Sequence, residues 1–289
     1  QQIMRSWQAL ASALCCVWNV VGVDLQDEPY AASWGKHLTS DWDQAASRIG
    51  NVVQGACSRW LIIVQGVGTL PGAPGASDLD DPFFWGENLM GVQDAPVKLK
   101  DTKKLIYSAH FYGPDVSEQP FFEDRSFPRN MPEVWERHFA FVPALTGHPV
   151  MIGAIGGAFK GAYYKIREWQ EHAINFIRDR SMPVFYDELT PGQKGGLIRS
   201  DWKSPETEKL DLMKRIRATS LQEILALAIE SPPPLPPPPD PPPPAAPPPL
   251  PPPPYNSPRI PPLPPVNPPP PPPPPKPSPP PPCPPLLAV

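Results

Sequence analysis

Proline fills most positions from Ser231 to the end of the chain, in runs such as PPPPAAPPPLPPPP, and this sets a ceiling on the folded part. Such a segment has no apolar periodicity and few backbone donors, so it forms no packed core. Its expected state is a disordered or extended polyproline II tail, reaching up to about 180 Å at ~3.1 Å per residue. The 52 prolines of the 289-residue chain are therefore a property of one end. Roughly 230 residues at most remain for a globular unit, enough for one sizeable domain.

The charge balance, 25 basic against 29 acidic side chains for a net −4, has no basic block. That argues against nucleic acid as a partner and leaves a polar, neutral ligand open. No transmembrane span is visible, so no membrane partner is expected. The opening segment QQIMRSWQALASALCCVWNVV has no initiator Met and no basic leader. Its spacing of Trp7, Leu10, Leu14 and Trp18 predicts an amphipathic helix rather than a signal peptide, in a chain read as a fragment or a processed form. The four cysteines lack metal-ligand spacing, and no metal is expected. They read as free thiols packed as small hydrophobes, with a bridge from Cys15 or Cys16 to Cys57 as the alternative that secretion would suit.

Short apolar runs alternate with helix-like stretches, which predicts an α/β unit with parallel strands over 20–24, 61–64, 105–109, 150–153 and 183–186. Helices are predicted over 41–57, 131–141 and 163–180, the last with Trp169, Ala173 and Phe176 on one face. Pro205 followed by acidic residues opens another over 206–217, which 221–229 extends.

Several motifs stand in a fixed order along these elements. An apolar run ends in an acidic pair and a proline in VVGVDLQDEPYAASWG (20–35); WLIIVQG (60–66), FFWGENLMGV (83–92), KLIYSAHFYGP (104–114), PVMIGAIGGAF (149–159) and GGLIRSDW (195–202) follow. Together they resemble family-5 glycoside hydrolases, the cellulase family, closest to its bacterial-type endo-β-1,4-glucanase branch. The resemblance covers residues 1–218. It implies a partial TIM (β/α)8 barrel with strands four to eight, while strands one to three have no counterpart in this chain. Residues 219–230 are then a helical linker and 231–289 the proline-rich tail.

The resemblance also implies the site. In that family the strand-four motif reads Asn-Glu-Pro, so Glu28 matches the general acid/base, and Asp27 stands where an amide donates to the sugar. A carboxylate cannot donate that hydrogen bond. Gln65 stands where close relatives have Glu and reads as drift around the pocket. His110 and Tyr112 match the strand-six pair that hydrogen-bonds substrate and holds the nucleophile. Trp34, Phe83, Phe84 and Trp85 are candidates for lining a glucan cleft, and Phe185 for the platform aromatic on strand eight.

The nucleophile of a retaining enzyme belongs in Gly-Glu-Phe-Gly, yet the chain reads Gly153-Ala154-Ile155-Gly156. A methyl group cannot attack the anomeric carbon, so retaining hydrolysis is expected to fail at Ala154. Asp187 and Glu188, just beyond the predicted strand eight, are the candidate surrogate carboxylates, Glu188 being the one carried forward. No organic cofactor is implied, since the family's chemistry uses carboxylates alone.

Three functions remain in play. The first is a hydrolase-like protein acting on β-1,4-glucan with impaired catalysis. The second is a non-catalytic glucan-binding or structural cell-wall protein, extracellular or wall-associated like the first. The third is a scaffold whose tail binds SH3-, WW- or profilin-type domains.

Overall fold

A computed structural model of the protein describes residues 2–68, 83–159, 164–191, 196–220, 222–224 and 226. In chain order the elements are α1 (Gln2–Leu14), β1 (Gly22–Asp24), α2 (Trp42–Ala56), β2 (Leu61–Gln65), β3 (Leu105–His110), α3 (Met131–Trp135), α4 (Val142–Thr146), β4 (Val150–Ile155), α5 (Tyr164–Asp179), β5 (Val184–Tyr186) and α6 (Thr207–Met213). The five strands form one sheet in the order β1-β2-β3-β4-β5, every neighbouring pair parallel. This is the expected partial (β/α)8 barrel. Its compact unit extends to Ala218 among the described residues. The predicted tail at 231–289 and half of the predicted linker, residues 221, 225 and 227–230, lie outside them.

Alternation along the strands sorts the sheet into two faces. On β2, Ile62 and Val64 are buried against the helix side, and α2 meets them with Ala46, Ile49 and Val53. Gly50 lets α2 approach closely: a Cβ there would press on Leu99, Ile62 and Leu25. Helix α5 buries Trp169, Ala173, Phe176 and Ile177. Its Trp169 and Phe176 join Phe111, Trp135 and Phe139 in an aromatic cluster with centroid spacings of 5.0–6.4 Å.

Three local expectations change. Helix 131–141 is interrupted by a π turn over Glu136–Ala140 before α4 begins. Pro143 has no N–H to continue the ladder, and the wider turn buries both His138 and Phe139. The face of α1 also differs from the predicted one. Leu10 and Leu14 are exposed and Trp18 lies beyond the helix, whereas Ala11 is buried with Met4 and Trp7 packed beside the core. The reason is a Cys15–Cys57 disulfide that ties this stripe to the end of α2, against the free-thiol reading for both residues. The Arg59 guanidinium reinforces the join by donating to the carbonyls of Cys15, Val17 and Val20. Finally, the helix after Pro205 is shorter than expected, spanning Thr207–Met213.

The pairing slips at the carboxyl ends of the strands. Register shifts between Ala109 and His110 on β3, and between Ile152 and Ile155 on β4. Such bulges re-aim side chains at the rim of a barrel, where the site sits.

Candidate active site

Gln65, at the end of β2 and 2 % exposed, organises the loop that carries Glu28. Its amide nitrogen donates to Asp24 Oδ2 (2.6 Å) and to Asp27 Oδ1 (3.4 Å), and its Oε1 accepts from the Glu28 N–H (2.8 Å). A carboxylate at 65 could accept the last bond but donate neither of the first two. Gln65 is thus an integrated part of the site, matched to an acidic loop, rather than drift. Glu28 itself has a φ of +41°, a strained conformation for a residue with a side chain, held here by the Gln65 contact.

Asp24 closes β1 beside these groups. Burial pushes its carboxyl up to about 6, against the opposing pull of the Gln65 hydrogen bond and the nearby His110, with Asp27 adding to the rise. Its Oδ1 is buried without a hydrogen-bond partner.

His110, at the end of β3, donates from Nδ1 to Glu28 Oε1 at 3.1 Å. Across the β3–β4 pairing the same histidine is in register with Ala154, which is 8 % exposed. The structure therefore brings together Glu28, His110 and Ala154, the three positions to which the family resemblance assigns the acid/base, its strand-six partner and the nucleophile. Two residues beyond β3, the Tyr112 hydroxyl donates to Asp187 Oδ2 at 3.3 Å, directly after β5. Burial, reinforced by the charges of Asp187 and Glu28, holds the Tyr112 phenol well above its ordinary range, so it stays a donor.

A cleft of about 770 Å³ opens over these residues, with Glu28, Tyr112, Asp187 and Glu188 at its polar side and Phe83, Phe84 and Trp85 along its apolar wall. Phe84 meets Tyr112 edge-on at 5.8 Å. Trp85 is 48 % exposed and stacks on Tyr30 at 5.4 Å, an arrangement that offers flat faces to a sugar ring.

Two predicted cleft aromatics lie elsewhere. Trp34 is 6 % exposed, and its indole N–H donates to the Ala95 carbonyl at 2.7 Å, so it belongs to the core. Phe185 is 64 % exposed and is not in the cleft wall. Its neighbour Tyr186 reaches back to the Gly157 carbonyl, which turns Phe185 to the opposite face of β5, while Asp187, past the end of that strand, lines the cleft. Asp27 is exposed and joins the site through Gln65, not through the cleft wall.

Sequence reasoning passed over Tyr30 and Asp24, and also over the supports behind the aromatic wall. Glu87 and His138 are both buried and hydrogen-bonded at 2.8 Å, and Glu87 also accepts from the Phe84 N–H, which pins that loop to the π turn. Buried Lys209 on α6 donates to the Gly157 carbonyl at 2.8 Å, bracing the loop after β4. A charged side chain spaced within an apolar stripe was the available signal for Lys209. Glu87 and His138 are 51 residues apart, and nothing in the sequence pairs them. Among the described residues no cluster of His, Cys, Asp or Glu is arranged to hold a metal ion, and no helix is long and apolar enough to cross a membrane.

Comparison with known proteins fits this geometry. The sequence profile of cellulase (glycosyl hydrolase family 5) matches residues 1–193. An endoglucanase of Paenibacillus polymyxa is 34% identical over 217 residues, covering 74% of this chain and 53% of its own. The major extracellular endoglucanase of Xanthomonas campestris is 33% identical over 206 residues, covering 70% and 41%. This chain thus spans about half the length of those relatives or less. Among solved structures, a Glu-to-Ala variant of the Pyrococcus horikoshii endocellulase in complex with cellotetraose superposes with a TM-score of 0.67 at 32% identity, covering 74% of this chain and 62% of that one. By sequence profile, by relatives and by fold, the chain belongs to the cellulase family, glycosyl hydrolase family 5.

Proposed function

We propose that this protein binds β-1,4-glucan in the cleft between Glu28 and Trp85 as a glycoside-hydrolase-like domain whose retaining hydrolysis is impaired. The observation that carries the reading is the register of Ala154 with His110, the residue that holds Glu28. The acid/base carboxylate is retained and oriented, while the neighbouring strand offers only a methyl group. Double displacement needs both carboxylates, one to protonate the leaving oxygen and one to attack carbon. The aromatic wall still provides stacking area, so binding survives the loss of the nucleophile. That a relative with alanine in place of a glutamate was captured with cellotetraose supports the separation of binding from turnover.

An extracellular or wall-associated location is part of the proposal. It is supported by the Cys15–Cys57 disulfide, a bond that persists in oxidising compartments, and by a relative described as extracellular.

The test is hydrolysis of carboxymethyl-cellulose and an aryl β-cellobioside by the full chain, by Ala154→Glu, and by Ala154→Glu combined with Glu28→Gln. The expected result is no hydrolysis with retention in the parent, a gain in the single variant and its loss in the double. Hydrolysis with retention by the parent contradicts the proposal. A second reading, a non-catalytic glucan-binding wall protein, is favoured by the exposed Tyr30–Trp85 stack. It predicts equal silence in all three proteins alongside measurable binding of cello-oligosaccharides.

A further inference from the structure

We infer that Asp187 is the second catalytic carboxylate of this cleft, acting as the base that activates water for slow, inverting hydrolysis of β-1,4-glucan. The inference rests on the glucan reading of the cleft given above and adds a residue and a stereochemical course to it.

Three observations point to Asp187. Its backbone N–H donates to the Ile155 carbonyl at 2.9 Å, which fastens it to β4 one residue past Ala154. Gly156 permits this crossing: a Cβ there would collide with the Asp187 backbone. Its side chain accepts from the Tyr112 hydroxyl at 3.3 Å, and in the family pattern Tyr112 is the ring that holds the nucleophile. Here that hydroxyl donates to the carboxylate directly after β5. Lastly, Asp187, Glu28 and Tyr112 line the same cleft. Glu188 lines it too, but Asp187 is the carboxylate that Tyr112 holds.

The stereochemical course follows from where Asp187 starts. It springs from β5 rather than β4, and its side chain is one methylene shorter than the glutamate of a retaining site. Retaining pairs lie about 5–5.5 Å apart, and inverting pairs leave room for a water at roughly 6.5–9.5 Å. In the step itself Glu28 delivers its proton to the glycosidic oxygen as the C1–O bond breaks. Water attacks C1 from the opposite face, forming the new C–O bond, and Asp187 takes the proton that water gives up. One water is consumed, the sugar leaves as the α-anomer, and proton exchange with solvent resets both carboxyls. Tyr112, held protonated, keeps the Asp187 carboxylate aimed through its hydrogen bond.

The experiment incubates the full chain with cellotetraose, follows the first-formed anomer by proton NMR, and measures cellotetraose binding in parallel by calorimetry. The expected result is slow turnover with the α-anomer first. Asp187→Asn, checked for an unchanged melting temperature and unchanged cellotetraose affinity, loses about 100-fold or more of that rate, the usual worth of a positioned general base. Binding without turnover in the parent, the β-anomer first, or undiminished turnover in Asp187→Asn overturns the inference while leaving the glucan reading intact. Absence of cellotetraose binding overturns both.

Discussion

His110 Nδ1 lies 3.1 Å from Glu28 Oε1, so the orientation of the Glu28 carboxylate is fixed from β3, two strands across the sheet, rather than from its own loop. His110→Ala removes that hold. In the Ala154→Glu background, where turnover can be read, kcat/KM for an aryl β-cellobioside is expected to fall about 100-fold, the effect of an ångström-scale misplacement of a catalytic group. Thermal unfolding of the variant separates this from loss of fold.

Asp24 gives stability a pH dependence opposite to that of an ordinary salt-bridged carboxylate. Its folded pKa is raised from 3.8 to about 6. Between those values the folded state binds a proton that the unfolded state does not, so the contribution of Asp24 to stability is fully present below about pH 4 and is lost as pH rises through about 6. The span corresponds to about 3 kcal/mol. Asp24→Asn keeps an acceptor for Gln65 and is expected to be more stable than the parent at pH 7 and to flatten the profile. Urea denaturation at pH 4, 5, 6 and 7 checks both the sign and the size.

The Cys15–Cys57 bridge closes a loop of 42 residues. Loop-closure entropy for that length predicts a loss of about 4 kcal/mol in Cys57→Ser. Denaturation curves of parent and variant, without reductant, measure the difference. Because the bridge joins α1 to α2, proteolysis of the variant is expected to begin in residues 2–20.

Trp34 and Trp85 are expected to respond in opposite ways. Trp34→Ala empties a core position and is predicted to cost about 3–5 kcal/mol of stability. Trp85→Ala removes an exposed stacking face and is predicted to leave stability nearly unchanged while weakening cellotetraose binding roughly tenfold. Melting temperature and calorimetric affinity on both variants distinguish core from cleft.

The barrel strands were legible because buried parallel strands read as short, continuous apolar runs, as in Leu61–Gln65 and Val150–Ile155. Helices α2 and α5 declared themselves through one apolar stripe each. What stayed hidden depends on contacts between distant residues. The buried face of α1 is chosen by a disulfide and by Arg59, not by the stronger apolar spacing of Leu10 and Leu14. Trp34 and Trp85 are equivalent as residue types, and only the Ala95 carbonyl and the Tyr30 ring tell them apart. Gln65 reads as a lost carboxylate until Asp24 and Asp27 are seen to need a donor. Asp187 and not Phe185 lines the cleft, and no periodicity reports which residue at the end of β5 reaches the rim.

On the proposed reading the alanine at 154 blocks retaining hydrolysis in this cleft, and the most direct measurement compares aryl β-cellobioside turnover by the parent and by Ala154→Glu, with product stereochemistry read by NMR. Hydrolysis with retention is expected only in the variant, at least about 1,000-fold above any such rate in the parent. Equal turnover with retention in the parent, or a variant as silent as the parent, would contradict it.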